Sequence, residues 1–217
     1  MTQQQVNRQQ PRWLVAVLAT VIAVALLVAG GAVAVLTGVG APTVPAEGSV
    51  DAGFARDMST HHRQAVTMAG LIRDRSDDSE IQLLAYDIES TQNNQIGMMQ
   101  GWLQVWGLPV NTSAEQMAWM SGHRGMGMPG GVMPGMATPD ELDELRGLSG
   151  DELDVRFLQL MIRHHQGAVP MADYALAHAD TDVVRRLAQK VIESQSAEVL
   201  TMEQMLRERG GSVLPPP

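Results

Sequence analysis

The chain has no cysteine among its 217 residues, and this absence removes several kinds of chemistry at once. Disulfide bonds, thiolate metal sites, cysteine nucleophiles and a cysteine-linked lipid anchor are all excluded. Any soft metal ligand must therefore be a methionine or a histidine. Methionine is abundant at 15 residues, and six of these lie between Met117 and Met136. A chain of this length is expected to build one main hydrophobic core.

Charge is absent from a long stretch near the N-terminus. No charged residue lies between Arg12 and Glu47, and residues 13–39 are a run of 27 apolar or small residues. A helix of that length can cross a bilayer, and the run is longer than the roughly 7–15 apolar residues of a signal peptide. It therefore predicts an uncleaved single-pass anchor in the cell membrane. Arg8 and Arg12 precede the run, which places residues 1–12 in the cytoplasm and the remainder outside.

Basic residues are scarce beyond this anchor. The part of the chain after the anchor contains 13 basic and 24 acidic residues, which gives a net charge of −11. A nucleic-acid partner is excluded on this ground, since neutralising phosphates needs clustered lysine and arginine. Residues 40–50, GAPTVPAEGSV, predict a linker, and the domain is expected over residues 51–210, followed by a tail at 211–217.

The domain contains an internal duplication. Residues 54–107 align without a gap to residues 157–210 at an offset of 103, and 15 of the 54 pairs are identical. Each copy reads as two amphipathic helices joined by a polar turn, at residues 73–80 and 177–182. Gly107 and Gly210 are typical of C-terminal helix caps. Two duplicated hairpins predict an all-α, antiparallel four-helix bundle.

The segment between the copies predicts smaller elements. A short helix is expected near residues 113–120, and the Gly- and Met-rich residues 121–136 are expected to form a loop. Thr138 and Ser149 are each followed three residues later by a glutamate, which is the pattern of a capping box. A short helix is therefore predicted just before the third long helix.

Both copies contain the same His-His pair flanked by methionines. On a helix these residues lie within the apolar stripe, where a buried imidazole needs a partner. One interpretation is metal binding, because imidazole is a common metal ligand and thioethers favour a soft ion such as Cu(I). The predicted ligands are Met58, His61, His62, Met68, Met161, His164, His165 and Met171.

A second interpretation of the histidines needs no metal. One histidine of each pair hydrogen-bonds to a polar residue of the second helices, and the methionines fill the core. The available partners are Gln92, Gln95, Gln195 and Glu198. The Glu-x-x-His pattern of di-iron bundles is missing around both pairs, which disfavours a di-iron oxidase.

The methionine-rich loop is a further candidate for copper. Its thioethers stay neutral at every pH and suit capture of Cu(I), although they also suit covering an apolar groove at the bundle end. The candidate ligands here are His123, Met126, Met128, Met133 and Met136.

Three long motifs resemble one bacterial family, the domain of unknown function 305. They are FLQLMIRHHQGAVPMA, MPGMATPDELDEL and TQNNQIGMMQGWLQVWG, and the resemblance covers about residues 49–210. It implies a ferritin-like four-helix fold. Some relatives are extracytoplasmic copper-binding proteins linked to copper resistance, which implies a test of the histidine and methionine positions named above.

The sequence therefore predicts a membrane-anchored extracytoplasmic protein that binds copper. Cu(I) buffering, transfer or resistance is the expected role, with a metal-donor or metal-acceptor protein as a partner. The alternative is a structural or partner-binding bundle whose core histidines hold no metal. No enzyme is predicted, because the sequence offers no nucleophile, base and substrate pocket together.

Overall fold

The N-terminal unit contains a single described helix. The structure, a computed structural model, describes residues 11–36, 44–120 and 133–215, and it divides into two units, Met1–Val44 and Pro45–Pro217. In the first unit α1 spans Arg12–Leu36. Its 22 residues Arg12–Val33 are long and apolar enough to cross a membrane. The predicted N-terminal apolar helix is present, and residues 37–39 of the expected anchor lie outside the described part.

The second unit is a bundle of four long helices and one short helix. The long helices are α2 (Val50–Arg73), α3 (Ser79–Val105), α5 (Gly150–His178) and α6 (Asp182–Glu208), and the short one is α4 (Pro139–Gly147). Helices α2 and α3 form one hairpin, α5 and α6 form the other, and the hairpins meet mainly through α2 and α5. The described residues contain no strand. The all-α, ferritin-like bundle is confirmed.

Local signals in the sequence predicted some helix ends and missed others. Gly107 and Gly210 follow helix ends with φ of 70° and 71°, as expected of caps. Thr138 forms its capping box with Glu141. Ser149, in contrast, makes no side-chain cap hydrogen bond. Gly150 follows it with φ of 57°, so α5 does not start with the regular geometry that a capping box needs.

The short helix expected near residues 113–120 is confined to one 3-10 turn, at Ala118–Met120. Met117 has φ of 63°, which an α-helix cannot include. The segment is held instead by Asp57, whose carboxylate accepts from the Met117 N–H at 2.7 Å and from the Trp119 indole N–H at 2.8 Å.

Each hairpin holds the turn of the other through a buried aspartate. Asp51 of α2 is fully buried, and its carboxylate accepts from the backbone N–H groups of Asp180 and Thr181 and from the Thr181 hydroxyl. These bonds hold the turn just before α6, whose N-cap residue Thr181 makes no side-chain cap bond of its own. Asp154, the equivalent residue of the second copy, hydrogen-bonds to Ser76 in the turn before α3. The duplication therefore produces reciprocal ties.

The apolar core consists of two clusters with a polar layer between them. The Met58 cluster includes Phe54 and Met171, and the Met68 cluster includes Phe157 and Met161. Each of the four long helices crosses the layer. Its residues before the layer belong to one cluster, and its residues after the layer belong to the second cluster. The polar layer consists of His61, His62, Gln92, Gln95, His164, His165, Gln195 and Glu198.

Candidate metal centre in the polar layer

The structure buries all eight predicted ligands but does not gather them in one place. Every one of them has zero solvent exposure. The four histidines meet in the polar layer. The four methionines divide, with Met58 and Met171 in one cluster and Met68 and Met161 in the other. The methionines therefore lie on both sides of the histidine layer.

The histidines of the two copies meet at the contact between α2 and α5. The rings of His61 and His164 have centroids 3.9 Å apart and are tilted by 40°. The rings of His164 and His165 have centroids 6.3 Å apart. Equivalent residues of the duplicated motif thus face each other across the bundle, because the two helices that carry them pack together.

Each imidazole uses its Nε2 atom in a hydrogen bond to an oxygen. His62 contacts Oε1 of Gln95 at 2.6 Å, and His165 contacts Oε2 of Glu198 at 2.6 Å. His61 contacts the carbonyl of Pro134 at 3.0 Å, and His164 contacts the carbonyl of His61 at 3.1 Å. These oxygens can only accept, so the proton of each neutral ring lies on Nε2. Each Nδ1 atom then carries a free lone pair.

Within the part of the chain that the structure describes, none of these four Nδ1 atoms has a hydrogen-bond partner. They are buried, and so are both amide atoms of Gln92 and both of Gln195, which are likewise without a partner. Buried polar atoms are nearly always paired, so such a concentration requires an explanation. Imidazole nitrogens with an available lone pair are donors that a soft metal ion accepts, so the chemistry of the residues present fits such an ion.

Burial keeps the rings of His61, His62 and His164 in the neutral form that can bind a metal. Desolvation lowers the pKa of His61 to about 4, against a raising effect of its bond to Pro134. Desolvation also lowers the pKa of His62 to about 3, helped by the neighbouring His61. The pKa of His164 is lowered in the same direction and for the same first cause. Protons therefore do not compete for these rings at neutral pH.

The geometry does not present a ready-made cluster of charged and imidazole ligands. Among residues 11–36, 44–120 and 133–215, no group of three or more His, Asp and Glu side chains is arranged to hold a metal ion. Any ion in the layer would use a small number of Nδ1 atoms, supplemented by thioethers. Cu(I) accepts such low coordination numbers and soft ligands.

A short strap lies against the histidine layer. Residues 133–137 end the methionine-rich segment, and the strap supplies the Pro134 carbonyl that accepts from His61. Gln64 of α2 holds it with two bonds to Ala137, to the N–H at 2.6 Å and to the carbonyl at 2.9 Å. Gly167 of α5 lies directly under it, and a Cβ atom there would overlap the carbonyl group of Pro134.

Sequence reasoning did not assign roles to Gln64 and Gly167. The two residues occupy equivalent positions in the two copies. The replacement of glutamine by glycine at this position was the sequence signal that could have indicated a different role in each copy. Of the predicted loop ligands, Met133 is buried in the Met58 cluster and Met136 is half-buried against it. The other three, His123, Met126 and Met128, lie outside the described residues, and their role stays a prediction.

Comparison with known proteins identifies the family. The profile of a domain of unknown function (DUF305) matches residues 51–206. The chain belongs to the DUF305 family. A candidate secreted DUF305 protein from Streptomyces coelicolor has a similar structure, with 48% identity, a TM-score of 0.72, and coverage of 78% of this chain and 99% of its own. No curated protein matches the sequence significantly.

More distant solved structures share the fold. A fragment from Deinococcus radiodurans is 33% identical, with a TM-score of 0.61 and coverage of 73% of this chain and 96% of its own. CopM in its Cu(I)-bound form is 28% identical, with a TM-score of 0.58 and coverage of 74% and 98%. CopM structures also exist in Cu(II)-bound and silver-bound forms. Metal binding is therefore found on this fold.

Proposed function

We propose that this DUF305 protein binds Cu(I) in the polar layer. The observation that carries the proposal is the set of four buried Nδ1 lone pairs without a partner. The proposed imidazole ligands are His61, His62, His164 and His165. The proposed thioether ligands are Met58 and Met171 from one cluster and Met68 and Met161 from the other.

The proposed role is to buffer Cu(I) or to pass it to another protein. Neutral imidazoles and thioethers bind a soft ion without adding charge of their own, and the absence of cysteine avoids loss of ligands by thiol oxidation. The similarity to CopM, which has been crystallised with copper and with silver, supports the same class of ion here. A donor or acceptor protein for the metal is part of this proposal.

A titration against a competing Cu(I) chelator tests the proposal. The full chain in detergent is compared with the variant His61→Ala, His62→Ala, His164→Ala, His165→Ala. Loss of the imidazole ligands is expected to weaken Cu(I) binding by about 100-fold or more. His178→Ala is the matched control, because His178 is exposed and lies outside the layer. Equal Cu(I) affinities of the four-alanine variant and the wild type would contradict the proposal.

A second candidate function is a structural or partner-binding bundle. The four Nε2 hydrogen bonds favour it, since His62 and His165 pair with Gln95 and Glu198 without any metal. In that case the four alanines lower the melting temperature equally with and without Cu(I). If the imidazoles hold the metal, Cu(I) instead raises the melting temperature of the wild type and not that of the variant.

We further propose that α1 anchors the domain to the outer face of the cell membrane. Its length and composition support an anchor, and Arg8 before it and Arg12 at its first position support that orientation. Since the chain has no cysteine, a single one can report the side of the membrane. A membrane-impermeant maleimide is expected to label Ser113→Cys in intact cells and Thr2→Cys only after lysis. A mature chain that lacks α1 by mass spectrometry would show a cleaved signal instead.

A further inference from the structure

The two halves of the polar layer differ in one charge. His62 and Gln95 are 33 residues apart, and so are His165 and Glu198, their equivalents in the second copy. In both halves the Nε2 atom lies 2.6 Å from the side-chain oxygen of its partner. The duplication has thus produced two imidazole–oxygen contacts of the same length whose acceptors are an amide in one half and a carboxylate in the other.

Glu198 is the only acidic member of the layer. The other three Nε2 atoms contact neutral oxygens, those of Gln95, Pro134 and His61. The Glu198 side chain is 28% exposed, so water can support its negative charge, while His165 is fully buried. A carboxylate that accepts from a metal-ligating imidazole fixes the ring and strengthens its other nitrogen as a ligand. Here that nitrogen is the partner-free Nδ1 of His165.

Charge balance distinguishes the two halves further. A cation in a buried layer is costly unless a negative charge lies close to it. Glu198 is the one acidic side chain of the layer, and a single monovalent ion would balance its negative charge. The half formed by His62 and Gln95 offers no such compensation.

We infer, on the basis of the copper site proposed above, that the half formed by His165 and Glu198 binds the first monovalent metal ion. Glu198 acts as a positioning residue that orients the Nδ1 lone pair of His165 and compensates the charge of the ion. The half formed by His62 and Gln95 fills later and more weakly. The ion is of the Cu(I) or Ag(I) class, with one positive charge and a preference for soft ligands.

Histidine side-chain NMR can show which ring binds first. The full chain in detergent, labelled with nitrogen-15 in histidine, is titrated with Ag(I), which is stable in air. At half an equivalent, the Nδ1 signal of His165 is expected to shift while that of His62 does not. Glu198→Gln is expected to abolish this order and to weaken Ag(I) binding roughly 10- to 100-fold.

Glu198→Gln keeps the hydrogen bond, as Gln95 does in the other half, and removes only the charge. Gln95→Glu is the reciprocal change, and with both substitutions the His62 signal is expected to shift first. Equal response of His62 and His165 in the wild type, or unchanged affinity in Glu198→Gln, overturns the inference while leaving the copper site intact. If no histidine signal responds in any variant, the copper site itself is wrong and the inference falls with it.

Discussion

Acidification from pH 7 to pH 4 is expected to remove about 3 kcal/mol of folding stability for each of His61 and His62. Their pKa values are lowered to about 4 and about 3 in the folded protein, chiefly by desolvation, from an ordinary 6.5. As pH falls below 6.5, the unfolded chain takes up protons that the folded chain cannot. The stabilisation is therefore complete above pH 6.5 and is lost progressively below it.

The contribution of a single ring can be isolated by substitution. His62→Gln removes one titrating group, and the slope of unfolding free energy against pH between 6 and 4 is expected to fall by about 1.4 kcal/mol per pH unit. Urea unfolding of the metal-free chain at several pH values measures that slope. Parallel curves for His62→Gln and the wild type would show that the buried ring takes up its proton in the folded state.

Gly167→Ala is expected to destabilise the bundle by about 2 to 4 kcal/mol, although alanine is the better helix former. The added Cβ would overlap the Pro134 carbonyl and crowd the Cα of Gly135, both of which are backbone groups. Either the strap moves away or α5 shifts. Displacement of the strap breaks the contact of Pro134 with His61 and the two bonds of Gln64 with Ala137.

Gly97→Ala provides a control of opposite sign. Gly97 lies inside α3, and a Cβ there would meet nothing within 4 Å. That substitution is expected to stabilise the protein by about 0.5 to 1 kcal/mol, the usual gain on replacing a helical glycine. Chemical unfolding followed by tryptophan fluorescence measures both variants. A gain in stability for Gly167→Ala as well would mean that the strap does not rest on α5.

The helices and the duplication could be predicted because their causes are local. Apolar residues at three- and four-residue steps produce amphipathic helices wherever they occur, and an offset of 103 repeats the pattern in both hairpins. The glycine caps at Gly107 and Gly210 depend only on the backbone next to them. At Met117 the local signal failed because a distant residue, Asp57 of α2, holds the segment.

The histidine layer could be predicted only in part. Burial of both pairs followed from their place in the apolar stripe, and two of the four suggested partners, Gln95 and Glu198, do accept from the rings. The other two, Gln92 and Gln195, are buried without a partner. The helical period gives the face of a side chain, but it does not give the rotation of an imidazole or an amide, which depends on what the neighbouring helix presents.

By itself the sequence determined that this protein is an all-α bundle of two duplicated hairpins with an apolar N-terminal helix, because helical periodicity and repetition are properties of the chain alone. Only the tertiary structure decided that Met58 and Met171 lie on one side of the histidines and Met68 and Met161 on the other. Only the tertiary structure decided, too, that the Nε2 atom of each ring forms a hydrogen bond while its Nδ1 atom has no partner among the described residues. Both facts arise from contacts between α2, α5 and the strap, whose residues are far apart in the chain.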